Sequence, residues 1–103
     1  MARLTDAEIA TRLTAVPEWT RDGDRLTREF TCPTFADAMA FLVRVAFDAE
    51  AADHHPDIAV HYRRVTLTWW THSEGGLTDK DFAGAASADK ASQGVSAGKA
   101  AGV

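Results

Sequence analysis

The amino-acid sequence predicts an α+β fold, in which a four-stranded antiparallel sheet carries three helices on one face in the order α-β-β-α-β-β-α. Three threonine-plus-acid motifs mark helix starts, and two pairs of short strand-like segments each follow a helix. The two segments of each pair are separated only by a short turn, and strands joined in this way are antiparallel. Helices gathered on one face would then cover the sheet.

Each predicted helix begins at a threonine that is followed three residues later by an acid. The motifs are Thr5-x-x-Glu8, Thr34-x-x-Asp37 and Thr78-x-x-Asp81. In this capping-box arrangement the hydroxyl accepts a hydrogen bond from a backbone N–H of the first turn, and the acid accepts one from the threonine N–H. The first helix is predicted to end before Pro17, and the second to extend from Phe35 to about Ala51.

The second helix is apolar on two sides. Its predicted core stripe consists of Phe35, Ala38, Met39, Leu42, Val45, Ala46 and Ala49. Its second row consists of Ala36, Ala40, Val43 and Phe47. A helix that is apolar on two sides is covered on two sides, so we expect the second row to pack against another subunit or against elements of the same chain. The alternative is that an alanine-rich helix exposes this row to water.

Two hairpins are predicted. The first joins residues 18–21 and 25–30 through Asp22-Gly23-Asp24, and the second joins Asp57–Tyr62 to Arg64–Trp70. In the last strand Val65, Leu67 and Trp69 alternate with polar neighbours, which predicts that these three face the helices.

Composition places the chain among ordinary globular proteins. It has 103 residues and a net charge of −4, and it contains no apolar run of the roughly 20 residues that a membrane helix needs. No basic cluster is larger than Arg63-Arg64, which disfavours nucleic acid binding. The single Cys32 excludes an internal disulfide and any multi-cysteine metal site. We expect a cytoplasmic protein.

One domain is predicted over residues 1–90. Beyond Phe82 the only large apolar residues are Val95 and Val103, so the core must be nearly complete before residue 90. Residues 91–103 are rich in alanine, glycine and serine, and we expect them to form a low-complexity tail, either a frayed helix end or a flexible extension.

The histidines give the strongest indication of function. All four lie within nineteen residues, at His54, His55, His61 and His72, and Glu50, Asp53 and Asp57 lie beside them. Histidine titrates near neutral pH and suits general acid–base catalysis. Pro56 restricts His55 to extended backbone, so His54 and His55 leave the second helix on a rigid bend. Because the end of that helix must pack beside the strand that follows it, we expect His54, His55 and His72 to meet at one end of the sheet. We expect His61, inside a strand, to be a surface or interface residue.

A zinc site is the alternative that three histidines and a carboxylate leave open. Adjacent histidines such as His54 and His55 are poorly placed to chelate one ion, and the sequence contains no HExxH or HxH motif. We therefore expect no metal. Flavin and nicotinamide motifs are also lacking, so no cofactor is expected.

Several motifs together resemble a known family. They are Glu50-x-x-Asp53-His54-His55-Pro56-Asp57, Tyr62, Trp70-Thr71-His72 and Gly75-Gly76-Leu77-Thr78-x-x-Asp81. In type and spacing they closely resemble the signature of the pterin-4a-carbinolamine dehydratases, and a looser similarity extends from Leu4 to about Ala86. Lys80 differs from the arginine that animal members carry near the site, and Ile58 differs from their tryptophan.

This resemblance implies a hydro-lyase that dehydrates 4a-hydroxytetrahydropterin to quinonoid dihydropterin, recycling tetrahydropterin for aromatic amino acid hydroxylation. It implies that the pterin is a substrate, that no cofactor is needed, and that the chain forms a homodimer or a tetramer. It also implies the site: His54, His55 and His72 as the catalytic set, with Glu50, Asp53, Pro56, Trp70, Thr71 and Lys80 in substrate binding and support. We expect His54 and His72 to exchange protons, His55 to orient the ligand, and Glu50 or Asp53 to hold an imidazole.

The alternative function is a dimeric interaction module, either an assembly factor or a transcriptional cofactor. Members of the same family serve as dimerisation partners of a transcription factor in animals, and related bacterial folds serve in assembly. The apolar second helix would suit that role equally well. The histidines favour the enzyme, because a purely binding protein does not need them.

Overall fold

The structure is a computed structural model that describes residues 2–94. Its elements are α1 (Asp6–Leu13), β1 (Thr20–Asp22), β2 (Arg25–Thr31), α2 (Phe35–Ala52), β3 (Asp57–His61), β4 (Arg64–Trp69), a turn of 3-10 helix (His72–Glu74) and α3 (Asp79–Gly94). The predicted α+β order is confirmed, and the 3-10 turn is an additional element. Among residues 2–94, no helix combines the length and apolar character that crossing a bilayer requires.

The sheet is antiparallel throughout, in the order β1-β2-β4-β3. Both hairpins have two-residue loops whose first residue has positive φ: 60° at Gly23 and 57° at Tyr62. Glycine adopts this conformation readily, but a tyrosine does so at a cost. The Tyr62 ring stacks on Phe35 with centroids 6.5 Å apart, which ties the β3–β4 hairpin to the start of α2.

The core lies on one face of the two central strands. Leu26 and Phe30 of β2 and Val65, Leu67 and Trp69 of β4 are all buried. This confirms the predicted inward face of β4. In contrast, β3 forms an edge with mostly exposed side chains, including Ile58.

The structure confirms most of the predicted inward face of α2 and corrects two of its seven residues. Phe41, which the predicted stripe omits, is fully buried with its ring 4.7 Å from that of Phe30. Phe35, which was predicted to lie in the core, is 51% exposed, and Ala46 is also exposed. The buried residues of the helix are Ala38, Phe41, Val45 and Ala49. The whole helix is apolar enough that spacing alone did not identify every residue that faces the sheet.

The caps of α1 and α2 follow their predicted motifs with different completeness. The reciprocal pair of bonds forms in α1, where Glu8 and Thr5 each accept from the other's backbone N–H. The bond from the Thr5 N–H holds the pKa of Glu8 below its ordinary value. At α2, Thr34 accepts from the Asp37 N–H, but the Asp37 carboxylate accepts from the Thr34 hydroxyl instead.

Helix α3 extends further than the predicted domain end. Residues 91–94, the first part of the predicted tail, form its last turn, and Ala91 and Ser92 are buried there. Asp89 fixes this end of the helix because it accepts hydrogen bonds from the Trp19 indole and the Arg28 guanidinium. The rest of the predicted tail, 95–103, lies outside the described residues.

The corrected orientation of α2 predicts that Phe41→Ala destabilises the fold by about 3–5 kcal/mol, because it removes a buried aromatic ring and leaves a cavity. The control is Arg44→Ala on the exposed side of the same helix, which should change the free energy of unfolding by less than about 0.5 kcal/mol. Urea unfolding followed by circular dichroism measures both. Equal effects would show that Phe41 is not a core residue.

Candidate active site

The first two histidines lie in the connection between α2 and β3. Asp53 ends α2 in the left-handed conformation, with φ of 50°, and its N–H donates to the carbonyls of Ala49 and Glu50. Aspartate tolerates this conformation better than most residues. The chain then turns through His54 and His55, and Pro56 directs it into β3. Asp53 therefore shapes the backbone that presents the histidines.

A buried carboxylate holds His54. The Nε2 atom of His54 lies 2.6 Å from Oδ1 of Asp81, which is fully buried in the first turn of α3. The other oxygen of Asp81 accepts from the Thr71 hydroxyl and from the Thr78 backbone N–H, both at 2.9 Å. The His54 ring also stacks on Trp69, with centroids 5.5 Å apart. When Asp81 is ionised, it accepts from Nε2–H and leaves Nδ1 of His54 able to accept a proton.

His55 has a different partner in a more open position. Its Nε2 atom lies 2.6 Å from a carboxylate oxygen of Glu50, one turn back on α2. Both side chains are largely exposed, at 53% for His55 and 76% for Glu50. This pair confers less rigidity than the buried one, since exposed ion pairs contribute little.

The third histidine follows β4. His72 begins the 3-10 turn, and its exposed ring lies 3.8 Å from the ring centroid of Trp70 at an angle of 34°. The guanidinium of Arg25 lies 4.4 Å from the same ring, on the neighbouring strand. Trp70 thus links His72 to the sheet by ring contacts.

The turn after α2 and the segment after β4 form the walls of an open cleft at one end of the sheet. It is lined by Asp53, His54, His55, Pro56, Asp57, Trp70, Thr71, His72, Ser73 and Lys80. His54, His55 and His72 thus lie around one cleft, as the sequence predicts, and Glu50 reaches it only through His55. The fourth histidine, His61, lies at the far end of β3 beside the hairpin turn.

Sequence reasoning missed the partner of His54. It assigned support of the imidazoles to Glu50 or Asp53, and Glu50 does pair with His55. Asp81, however, was interpreted only as a helix-capping residue and as part of a motif. Aspartate is almost never fully buried unless it is paired, and the partners of this one, among them Thr71 and His54, come together only in the folded chain.

Within residues 2–94, no three or more histidine, cysteine, aspartate or glutamate side chains are grouped so that they could hold a metal ion. The short contacts of the site join its members in pairs instead, His54 with Asp81 and His55 with Glu50.

Comparison with known proteins identifies the family. The model of the family described as pterin 4 alpha carbinolamine dehydratase matches residues 2–91. The chain belongs to the pterin 4 alpha carbinolamine dehydratase family.

Two further likenesses agree with this membership in the family. A protein of Roseiflexus sp. (strain RS-1), named "Putative pterin-4-alpha-carbinolamine dehydratase", is 55% identical over 80 residues, which are 78% of this chain and 86% of the relative. The crystal structure of a transcriptional coactivator/pterin dehydratase from Brucella melitensis superposes with a TM-score of 0.84 at 35% identity, covering 86% of this chain and 97% of the other.

The fold extends to a more distant protein. A pterin dehydratase-like protein identified as a RuBisCO assembly factor in the alpha-carboxysome superposes with a TM-score of 0.61 at 24% identity, covering 71% of this chain and 84% of the other. At that identity the likeness concerns the fold alone.

The hydrogen bonds of Asp81 predict that Asp81→Ala lowers the free energy of unfolding by about 1–3 kcal/mol, because it leaves buried donors without an acceptor. Asp53→Gly is the control on the same site. Glycine suits the left-handed conformation there, so stability should stay within about 0.5 kcal/mol of the wild type or increase. Thermal unfolding measures both, and a larger loss in Asp53→Gly than in Asp81→Ala would contradict this reading of the site.

Proposed function

We propose that the protein dehydrates 4a-hydroxytetrahydropterin to quinonoid dihydropterin by histidine acid–base catalysis, recycling tetrahydropterin for aromatic amino acid hydroxylation in the cytoplasm. The observation that carries this function is the convergence of His54, His55 and His72 on one cleft, with His54 held by the fully buried Asp81. Membership of the family supports it.

The reaction needs two proton transfers. The bond between C4a and its hydroxyl oxygen breaks, and an acid must protonate that oxygen so that it leaves as water. A base must accept the proton lost from a ring nitrogen as the new double bond forms. Positioned acid–base groups typically accelerate such steps by about 10²–10⁴.

The surroundings of the histidines suggest how these roles divide. His54 is rigid and, with its Nε2 bound to Asp81, has Nδ1 free to take the ring proton. His72 is exposed and supplies the proton to the departing hydroxyl. His55, paired with Glu50, orients the heterocycle. The Trp70 side chain forms one wall of the cleft and holds the His72 ring against it, which positions His72 toward the substrate.

The remaining cleft residues suit binding rather than proton transfer. Lys80 lies at the rim with its ammonium able to donate to a pterin carbonyl, and Thr71 is buried below with its hydroxyl on Asp81. Pro56 fixes the backbone beside His55. Asp53 also lies at the rim of the cleft, and we assign it to substrate binding and support for that reason.

Replacing the histidines provides the test. His54→Gln and His72→Gln should each lower kcat by about 10²–10⁴ with little change in KM, because glutamine can keep a hydrogen bond, to Asp81 in the case of His54, but cannot exchange protons. His55→Ala should raise KM more than it lowers kcat. The matched control is His61→Ala, a histidine outside the cleft, which should leave both parameters unchanged.

The measurement is stopped-flow dehydration of freshly generated 4a-hydroxytetrahydropterin. A wild type that is no faster than buffer would contradict the enzymatic function. Losses confined to KM in all three cleft variants would show that the histidines only hold the ligand.

The second candidate function is a dimeric interaction module. The observation that favours it is exposed apolar surface, which also favours self-association. Val43 and Phe47 on α2 are 55% and 71% exposed, and Ile58 on the edge strand β3 is 46% exposed. Contiguous apolar surface and an unpaired strand edge commonly mark interfaces. We propose at least a homodimer, with pairing of strands across the axis as the favoured contact.

Sedimentation at micromolar concentration tests the assembly. We expect a mass of at least twice the chain mass of 11.1 kDa. Phe47→Asp should weaken an interface formed by α2 and leave one formed by β3 largely intact. A wild-type mass near 11.1 kDa would exclude the homodimer. If the wild-type protein has no dehydratase activity but captures a stoichiometric protein partner, the interaction module is favoured.

A further inference from the structure

A second cavity, which we call the α2–α3 groove, lies between the two longest helices. Its lining is mostly apolar and includes Ala49 and Ala52 of α2, Ala83, Gly84 and Ala88 of α3, and Trp69 of β4. Asp48 of α2 and Ser87 of α3 also line it, and the Ser87 hydroxyl donates a hydrogen bond to the Asp48 carboxylate at 3.3 Å. Its volume is about 130 Å³. An apolar cavity of about 150 Å³ holds one benzene molecule, so the groove has room for a few carbon atoms.

Small residues create this space. A Cβ atom at Gly84 would lie 2.7 Å from the ring of Trp69, so α3 can approach β4 this closely only with glycine there. The alanines on both sides then have side chains too short to fill the gap between the helices. The groove is therefore a consequence of residue size on two facing helices.

The groove adjoins the histidine cleft. His54 and Lys80 line both spaces. Trp69 carries the stacked His54 ring and also lines the groove, and it is only 3% exposed. Its indole N–H has no hydrogen-bond partner among residues 2–94. The two spaces thus share two lining residues, and a ligand with a flat polar part and a short apolar part has a part that suits each of them.

We propose that the α2–α3 groove binds a small apolar substituent at C6 of the pterin whose reacting carbon lies beside His54. This inference rests on the proposed function. In the pterin ring C6 is two bonds from C4a, through N5, and it is the nearest ring carbon to C4a that can carry a side chain. With C4a at the histidines, a group on C6 is the part of the substrate best placed to enter the neighbouring groove.

The groove differs from the surface proposed for self-association. Ala49 and Ala52 face the groove, whereas the exposed Val43 and Phe47 belong to the other apolar row of α2. A ligand in the groove and a second copy on that row are therefore compatible. Contact of a second copy with the groove itself is the competing explanation.

Equilibrium binding tests the groove without requiring catalysis. The probes are oxidised pterin and 6-propylpterin, titrated against the whole protein by fluorescence. Each buried methylene contributes about a fourfold gain in affinity, so the wild type should prefer 6-propylpterin by at least about tenfold. Ala83→Leu and Ala52→Leu, which fill the groove from opposite helices, should reduce this preference to about twofold or less. Ala86→Leu is the control, on the exposed side of α3 outside the groove, and should retain it.

The outcomes separate this inference from the proposed function. Equal affinities of the wild type for the two probes would overturn the inference that the groove binds the C6 substituent, even if dehydration is fast. A tenfold preference for 6-propylpterin that the filling variants abolish would support the inference, even if the protein shows no dehydratase activity. If the filling variants change the sedimentation mass and keep the preference, the groove is a contact between copies and the inference is wrong.

Discussion

The carboxylate of Asp81 is buried completely, and the arrangement of the site depends on how it is satisfied. Removing a charge from water is costly unless partners replace the lost hydration. Here the partners are His54, Thr71 and the Thr78 backbone N–H, with distances of 2.6, 2.9 and 2.9 Å. They belong to the turn after α2 and to the two ends of the segment between β4 and α3. One side chain at the start of α3 thus joins the turn after α2 to the segment between β4 and α3, and the cleft opens where these segments meet.

The rest of the fold positions these segments through core packing and local backbone conformation. The central strands β2 and β4 bury one apolar face, and Trp69 at the end of that face supports the His54 ring. The left-handed Asp53 ends α2 just before the first histidine. Helix α3 packs closely on Trp69 because residue 84 is glycine. The site is consequently rigid at His54 and open at His55 and His72, an arrangement that suits one fixed proton acceptor beside groups that meet substrate from solvent.

Local patterns in the sequence predicted most of the fold. Capping threonines identify the helix starts, and strict alternation in β4 identifies its buried face, because each signal depends on neighbouring residues only. The inward face of α2 was predicted in part: Ala38, Val45 and Ala49 are buried as predicted. Phe41 takes the core position that was predicted for Phe35, and only its contact with Phe30 selects it. The pairing of His54 with Asp81 spans 27 residues and depends on tertiary packing, so spacing could not reveal it. The clustering of the histidines could be predicted because the second helix must end beside the hairpin that follows it, which brings the segment before Pro56 near the end of the last strand.

A crystal structure of the protein with a tetrahydropterin analogue tests the central claim most directly, since it locates the reacting carbon relative to the histidines. We expect the heterocycle in the cleft beside Trp70, with its N5 within about 3 Å of Nδ1 of His54, or one water away, and its C4a face toward His72. The contact between His54 and Asp81 should be unchanged. A pterin bound elsewhere, or one that reaches His54 only after His54 has left Asp81, would contradict the role assigned to this buried pair.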